Sequence, residues 1–225
     1  KDRLIRLIET GGPIPVSTYM QLCLHDTAQG YYATRPGIGK DFITAPEISQ
    51  IFGELIGLWL VHEWKAMGSP EEIRIVEIGP GRGALMQDAL RLGMVAGGED
   101  FAKAMRLTLV EPSPAMRDVQ RDALAAAQPD FVSTLAEVPA GPMLLVANEY
   151  LDCLPARQFR RDGGSWRECV IGLDAGRDLV FGLAADEQAP PEGAGDTSAV
   201  VEVQTGMDLL VADLVTRDAP FRALF

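Results

Sequence analysis

The sequence has few cysteines and few histidines, and this scarcity excludes several classes of site. The cysteines are Cys23, Cys153 and Cys169, far apart in the chain, and the histidines are His25 and His62. No two cysteines have the Cys-x-x-Cys spacing, so a structural zinc site is not expected and no metal is predicted. An odd number of dispersed cysteines is instead typical of a reducing compartment.

Positive charge and long apolar runs are also scarce. The chain has 20 Lys and Arg against 32 Asp and Glu, a net charge of −12 at pH 7. Proteins that bind nucleic acids usually carry a basic face, and none is visible here, so we expect no nucleic-acid partner. The longest apolar runs, such as Leu55 to Val61, are too short to span a bilayer. The charged, amphipathic N-terminus does not resemble a secretory signal.

The first seventy residues are predicted to be mainly helical. Apolar residues recur at helical spacing in residues 1–10, 16–26 and 48–67. The Gly-, Pro- and Thr-rich stretch 27–47 has no such periodicity and predicts a long loop, and loops of this length are often functional. We interpret residues 1–70 as an N-terminal helical and lid segment.

The rest of the chain, residues 71–225, is predicted to form an α/β domain. Buried-strand patterns rich in β-branched residues alternate with helical patterns from Glu72 to Glu149, which indicates a doubly wound parallel sheet. After Pro155, alternating segments separated by glycine-containing turns predict an antiparallel insertion. The sequence ends within a predicted strand, so we expect the α/β domain to be incomplete at its C-terminus.

A glycine-rich turn joins the first predicted strand of this domain to a predicted helix over residues 84–94. In the segment VEIGPGRGALMQDAL, Gly79, Gly81 and Gly83 follow Glu77. Glycines let the backbone turn sharply and approach a ligand, and the helix N-terminus offers free N–H groups. The run Gly79-x-Gly81-x-x-Ala84 also satisfies the dinucleotide fingerprint. A nucleotide cofactor is therefore expected, and its identity depends on the flanking residues.

Glu77 favours one cofactor over another. An NAD pyrophosphate is negatively charged and would be repelled by a carboxylate two residues before the first glycine. S-adenosyl-L-methionine carries an ammonium group, which a carboxylate at the end of a strand can attract. The alternative is a glutamate that reaches solvent or pairs with Arg74 or Arg82.

Polar side chains also follow two later strands. Glu111 ends the second strand, where a carboxylate can accept hydrogen bonds from both ribose hydroxyls of either cofactor. Asn148 and Glu149 end another strand, and Asp152 follows. Since ligands bind at the carboxyl ends of parallel strands, we expect these three residues near the reactive methyl group, where carboxylates would orient a guanidinium and help it lose a proton. Asn148 could instead hold an amine. The simpler alternatives are an exposed Glu111 and a helix cap formed by Asn148 and Glu149.

Four segments of the sequence resemble the MidA family of S-adenosyl-L-methionine-dependent methyltransferases, related to the mitochondrial complex I assembly arginine methyltransferase. The segments are GPIPVSTYMQLCLHDTAQGYY, GKDFITAPEISQIFGELIGLWLVHEW, VEIGPGRGALMQDALR and ANEYLDCLPARQF. The resemblance covers most of residues 1–172. It implies a class I methyltransferase (Rossmann-like) fold, a protein acceptor that presents an arginine, such as a complex I subunit, and a location in the bacterial cytoplasm or the mitochondrial matrix.

The resemblance also implies roles for particular residues. Asn148 and Glu149 would lie beside the transferred methyl group, and a loop containing Asp41, Thr44 and Glu47 would close over the cofactor. The residues implied to bind S-adenosyl-L-methionine are Glu77, Gly79, Pro80, Gly81 and Gly83, with Glu111 on the ribose.

Three functions remain open at this point. The first is a protein arginine methyltransferase. The second is an NAD-linked oxidoreductase, against which Glu77 and the lack of a catalytic histidine or lysine near the strand ends both argue. The third is a non-enzymatic assembly factor that binds S-adenosyl-L-methionine as a structural ligand and uses the helix with Trp59 and Trp64 as a partner surface. Such an apolar helix is more often part of the core.

Overall fold

The computed structural model describes residues 1–26, 28–34, 44–189 and 199–225. The helices are α1 (Asp2–Gly11), α2 (Val16–Leu24), α3 (Tyr31–Thr34), α4 (Ala45–Ile48), α5 (Gln50–Ala66), α6 (Ala84–Ala104), α7 (Pro114–Ala123) and α8 (Thr205–Val215). The strands are β1 (Ile14–Pro15), β2 (Ile73–Ile78), β3 (Met105–Val110), β4 (Asp130–Val132), β5 (Met143–Val146), β6 (Ala156–Asp162), β7 (Ser165–Leu173), β8 (Leu179–Leu183), β9 (Val200–Gln204) and β10 (Phe221–Leu224).

The chain folds into two compact units. One contains Lys1–Thr34 and Cys153–Leu209, and the other contains Arg35–Asp152 and Leu210–Phe225. This division differs from the predicted boundary at residue 70. The N-terminal helices belong with the antiparallel strands because β1 pairs with β7, a pairing between segments distant in the sequence.

A parallel sheet forms the centre of the second unit. Its strand order is β10-β5-β2-β3-β4, and each of its pairings is parallel. The side chains of β2, β3 and β5 are almost all buried, which explains their continuous apolar sequences. The predicted α/β fold is therefore confirmed, and the segment PFRALF forms the edge strand β10 of this sheet.

Two helices pack closely in the same unit. A Cβ atom added at Gly57 of α5 would lie 2.1 Å from the backbone oxygen of Ala89 in α6, and one added at Gly53 would lie 2.6 Å from Cβ of Asp88. Trp64 is buried against Phe101, with ring centroids 5.3 Å apart, and its Nε1 donates to the carbonyl oxygen of Pro70. Trp64 is thus part of the core, and Trp59 is partly buried and packs against the same core.

The helix ends differ from the sequence-based expectation in three places. The stretch predicted as one long loop contains the short helices α3 and α4, on either side of residues outside the described ranges. Ser49 is extended, with φ −142°, and separates α4 from α5. Helix α6 continues to Ala104 through a kink at Gly98, where φ is 66°. Within the described ranges, no helix combines the length and apolarity that a membrane crossing requires.

The first unit contains an antiparallel sheet, as predicted. Strands β1, β7, β6 and β9 are adjacent in that order, and β8 also pairs with β7. Ile8, Ile14 and Ile171 form a small apolar core between α1 and this sheet. Arg157 and Glu168 pair across β6 and β7 through two bonds of 2.8 Å. The strand β9 had no counterpart in the sequence-based prediction.

Candidate cofactor and acceptor site

The candidate site lies at the carboxyl ends of the parallel strands in the second unit. Glu77 in β2 is in register with Leu109 of β3 and Val146 of β5. Glu111 lies two residues after Leu109, and Asn148 lies two residues after Val146. The two residues therefore follow the strands that flank β2 on its two sides. The acidic and amide residues singled out from the sequence thus follow adjacent strands at one edge of the sheet.

The turn after β2 needs its glycines. Gly79, Gly81 and Gly83 have φ of 65°, 52° and 86°, in the left-handed region that other residues rarely adopt. Gly83 precedes the first residue of α6, and its N–H donates to the carbonyl oxygen of Pro80 at 2.8 Å. Because α6 begins directly after Gly83, its free N–H groups lie beside the turn.

Glu77 is a buried carboxyl group with an unpartnered oxygen. The residue is 3% exposed, and its Oε2 atom has no hydrogen-bond partner among the described residues. Burial raises the pKa of this carboxyl to about 8, because the charged form loses its hydration. In the described part of the chain no ion pair joins Glu77 to Arg74, which bonds to Glu72, or to Arg82. The alternative of a glutamate that reaches solvent or pairs with Arg74 or Arg82 is therefore wrong.

Glu111 is held by α7 and the turn that precedes it. Its Oε1 accepts from the backbone N–H of Ser113 at 2.8 Å, and its Oε2 accepts from Nε2 of Gln120 at 3.1 Å. Its carbonyl oxygen accepts from Nε of Arg117 at 2.6 Å. The side chain is buried, so the alternative of an exposed acid at the strand end is wrong. A carboxylate has about four acceptor positions, and these bonds leave two of them.

Asn148, Glu149 and Asp152 follow β5 as predicted. Asn148 is half-buried, whereas Glu149 and Asp152 are exposed, Asp152 within a 3₁₀ turn over Leu151–Cys153. Glu149 has a φ of 53°, which costs a non-glycine residue on the order of 1 kcal/mol. Strained backbone of this kind is concentrated at functional sites.

The predicted lid residues are only partly described. Asp41 lies outside the described residues. Thr44 directly precedes α4, and Glu47 lies in its first turn; both are half-buried. Glu54 of the neighbouring helix α5 pairs with Arg91 of α6 at 2.9 Å.

Sequence reasoning missed three residues that shape the site. Gln120 bonds both to Glu111 and, at 2.7 Å, to the carbonyl oxygen of Gly81. Arg117 joins the end of β3 to Ser133 through a bond of 2.9 Å. Tyr150 lies over the turn, since a Cβ atom added at Gly79 would be 3.5 Å from its Cδ2. Arg117 and Gln120 are three residues apart and therefore lie on one face of α7, and this spacing in the sequence could have indicated both residues.

These features define the class of protein. A parallel sheet with a glycine turn after one strand and a carboxylate after the next is the nucleotide-binding arrangement of Rossmann-like folds. Oε2 of Glu77, which has no partner among the described residues, can accept from an ammonium group, and the two remaining acceptor positions of Glu111 suit two hydroxyls. S-adenosyl-L-methionine carries both an ammonium and a ribose, so the residues present fit this cofactor. The fold is that of a class I methyltransferase.

Comparison with known proteins identifies the family. Residues 55–214 match the family Methyltransf_28, described as "Putative S-adenosyl-L-methionine-dependent methyltransferase". The match covers more than half of the chain, so this protein belongs to that MidA-like family, whose cofactor is S-adenosyl-L-methionine.

Named relatives and a solved structure agree with this assignment. The chain is 36% identical to the mitochondrial protein arginine methyltransferase NDUFAF7 of Danio rerio, over 75% of this chain and 45% of that protein. It is 35% identical to the Homo sapiens protein of the same name, over 96% of this chain and 55% of that one. A Burkholderia thailandensis protein bound to S-adenosyl-homocysteine superposes with a TM-score of 0.77 at 25% identity, over 96% of this chain and 59% of that one. The chain spans about half the length of the curated relatives it matches.

Proposed function

We propose that this chain carries the cofactor-binding part of an S-adenosyl-L-methionine-dependent protein arginine methyltransferase. The observation that carries the proposal is the buried carboxyl of Glu77, whose Oε2 has no partner among the described residues. A buried polar atom without a partner is costly, and an ammonium group from a ligand would remove that cost. The names of the relatives support arginine as the acceptor.

The cofactor side of the proposed site uses the ends of β2 and β3. Glu77 holds the ammonium of the methionine moiety, and the turn of Gly79, Pro80, Gly81 and Gly83 lets the backbone approach the cofactor. Glu111 accepts the ribose hydroxyls on its two remaining acceptor positions. Thr44 and Glu47 belong to the segment that the family resemblance implies covers the bound cofactor.

The acceptor side of the proposed site uses the end of β5. When bound, the cofactor would supply an electrophilic methyl group on a sulfonium, and breakage of its carbon–sulfur bond would leave a neutral thioether. Glu149 and Asp152 orient the acceptor guanidinium through its planar set of N–H donors. The attacking nitrogen loses a proton as it gains the methyl group, and Glu149 accepts that proton on a carboxylate oxygen. Asn148 fixes the acceptor by its amide oxygen, so catalysis comes mainly from positioning.

The proposed acceptor is a protein with an accessible arginine, and a respiratory complex I subunit is the candidate that the family resemblance implies. The net charge of −12 would favour the approach of a basic segment. The mitochondrial names of the relatives support a mitochondrial matrix location in a eukaryote; in a bacterium the corresponding location is the cytoplasm.

The first experiment is a calorimetric titration with S-adenosyl-homocysteine and, separately, with NADH. We compare the wild type with Glu77→Gln, which keeps the side-chain shape and removes the negative charge. Glu99→Gln is the matched control, because Glu99 is exposed on the same unit and pairs only with Lys103 among the described residues. We expect the wild type and the control to bind S-adenosyl-homocysteine and not NADH, and Glu77→Gln to bind at least about tenfold more weakly.

The acceptor is then tested by incubating the full-length protein with S-adenosyl-L-methionine and arginine-containing peptides, and by mass spectrometry of the products. Peptides with lysine in place of arginine are the control. Added mass of one methyl group on arginine alone supports the proposal. Binding of NADH alone would contradict the cofactor assignment, and methylation of lysine alone would contradict the arginine assignment.

A further inference from the structure

Gln120 is a fully buried amide that joins two parts of the proposed cofactor site. It is 0% exposed. Its Nε2 donates to the carbonyl oxygen of Gly81 at 2.7 Å and to Oε2 of Glu111 at 3.1 Å. Burying an amide is costly unless its hydrogen bonds are made. The glycine turn after β2 and the carboxylate after β3 are thus connected through one side chain on α7.

The partners of Gln120 determine which way its amide faces. A carbonyl oxygen and a carboxylate oxygen are both acceptors, so only the NH₂ group can bond to the two of them. Rotating the amide by half a turn would place Oε1 against both. The observed orientation leaves Oε1 buried without a partner among the described residues. Both N–H groups are already used, so Gln120 has no donor left for a ligand and can act only through Gly81 and Glu111.

The carboxylate of Glu111 needs a fixed plane to bind two ribose hydroxyls at once. The terminal torsion of a glutamate is broad, so without restraint the carboxylate rotates freely. Here the backbone N–H of Ser113 holds Oε1 and Gln120 holds Oε2. Each oxygen keeps one acceptor position, and the two positions remain in a fixed relation to each other. Removing the Gln120 bond would release one side of that arrangement.

We propose that Gln120 is a positioning residue that orients Glu111 and thereby determines how strongly the site recognises the ribose 2′-hydroxyl of its cofactor. This inference rests on the proposed function, because it assumes that Glu111 faces a ribose. It adds a selectivity determinant on α7. Among the described residues, Arg117 and Gln120 are the two α7 side chains that bond to Glu111.

The test compares two ligands that differ only at the ribose. Calorimetry gives the Kd of S-adenosyl-homocysteine and of its 2′-deoxy analogue for the wild type and for Gln120→Met, which has a similar shape and no N–H donors. We expect the wild type to prefer the natural ligand by about 10- to 100-fold, as for a hydrogen bond to a charged group. In Gln120→Met the preference should fall to about threefold or less, because Ser113 still holds Oε1 of Glu111 but nothing from α7 holds Oε2, so the carboxylate plane is no longer fixed.

Gln87→Met is the matched control. Gln87 is exposed on α6, and its Nε2 lies 3.5 Å from the carbonyl oxygen of Ala123, so the same substitution there should keep the full preference. Gln120→Leu is a second variant, in case Gln120→Met does not fold. It also lacks N–H donors, so the preference should fall in the same way.

The outcomes separate the inference from the proposed function. If Gln120→Met weakens both ligands by the same factor and keeps the preference, Gln120 has only a structural role and the inference is wrong. If the wild type binds both ligands equally, the inference is wrong while the cofactor proposal stands. If the wild type binds neither ligand, the cofactor proposal fails and the inference fails with it.

Discussion

At the scale of single residues, the character of the site depends on where each carboxyl group is buried. Glu77 is enclosed by the sheet and has a raised pKa, whereas the buried Glu111 receives hydrogen bonds from Ser113 and Gln120. Desolvation disfavours the charged form of a carboxyl, and hydrogen bonds to the charged form offset that effect. Glu77 is therefore the group that gains most from a cationic ligand.

Cofactor binding is expected to depend on pH through Glu77. Its pKa of about 8 means that Glu77 is mostly protonated at neutral pH, and it must release a proton to hold an ammonium group. The Kd for S-adenosyl-homocysteine should therefore fall as pH rises, by up to about tenfold per pH unit between about pH 6 and 8, and then level off. Calorimetry in buffers of different ionisation enthalpy measures the released proton directly. Glu77→Gln should lack this dependence, and a wild-type Kd that is constant over this range would contradict the expectation.

Glu149 is expected to affect methyl transfer and leave cofactor binding intact. Replacing Glu149 with Gln removes the proposed proton acceptor, so kcat should fall by about 10²-fold or more. The Kd for S-adenosyl-homocysteine should stay within about twofold, since a change of this size is less than 0.5 kcal/mol. Single-turnover kinetics and calorimetry measure the two quantities. Asp162→Asn, a change at an exposed carboxylate in β6, is the control. A variant that loses cofactor binding and activity together would argue against this role.

At the scale of elements, the second unit depends on the close approach of α5 and α6. Gly53 and Gly57 lie one turn apart on α5 and face Asp88 and Ala89 of α6. The same α6 begins at the glycine turn, so its position also determines where its N-terminus lies relative to the cofactor site. On the opposite face of α5, Ile51, Leu55 and Leu58 are exposed. Because both faces carry apolar residues, the sequence of the helix is apolar all round.

Gly57→Ala is expected to destabilise the second unit. The added Cβ would lie 2.1 Å from the backbone oxygen of Ala89, and because backbone cannot rotate away, the helices must separate. Overpacking of this kind costs about 1–3 kcal/mol, and replacing glycine gains about 1 kcal/mol of helix propensity, so the expected net loss is up to about 2 kcal/mol, and the very short contact with backbone favours the upper end. Urea denaturation followed by circular dichroism measures the net loss.

Gly11→Ala is the control for that substitution. Gly11 ends α1, and a Cβ atom added there meets no atom within 4 Å. The same chemical change should therefore be neutral or slightly stabilising. Equal stability of Gly57→Ala and wild type would show that the two helices accommodate the added Cβ atom, and it would contradict the prediction.

At the scale of the whole molecule, the described residues of the candidate site belong to one of the two compact units. Glu77, Glu111 and Asn148 all lie within Arg35–Asp152. The antiparallel sheet of the other unit has its own apolar core, formed by Ile8, Ile14 and other residues. Cofactor binding should accordingly stabilise the two units unequally.

Hydrogen exchange should detect this difference. S-adenosyl-homocysteine at a concentration of 100 times its Kd should add about 2.7 kcal/mol to the free energy of opening of the unit that binds it, and slow its globally exchanging amides about 100-fold. We expect this protection in β2, β3 and β5, and much less in β6 and β7. Protection that appears first in β6 and β7, measured by mass spectrometry, would place the ligand elsewhere. NADH at the same concentration is the negative control.

The succession of strands and helices along the chain in the α/β unit was predictable because it follows local patterns. The apolar runs of β2, β3 and β5 and the glycines after β2 are readable without any knowledge of packing. The kink at Gly98 and the short helices α3 and α4 were missed, since helix ends depend on contacts that a single segment does not reveal. Strand β9 was missed although residues 201–204 alternate between apolar and polar, because the run is short and its residues are only partly buried or exposed.

The sequence by itself determined the parallel α/β fold, the glycine turn, and the acidic and amide residues at the ends of three strands, because each depends on residues close together in the chain. Only the tertiary structure decided the burial that raises the pKa of Glu77, the bond from Gln120 to Gly81 across 39 positions, and the grouping of α1 with β7. These features arise from contacts between distant segments. Packing determines such contacts, so they cannot be read from a local pattern of residues.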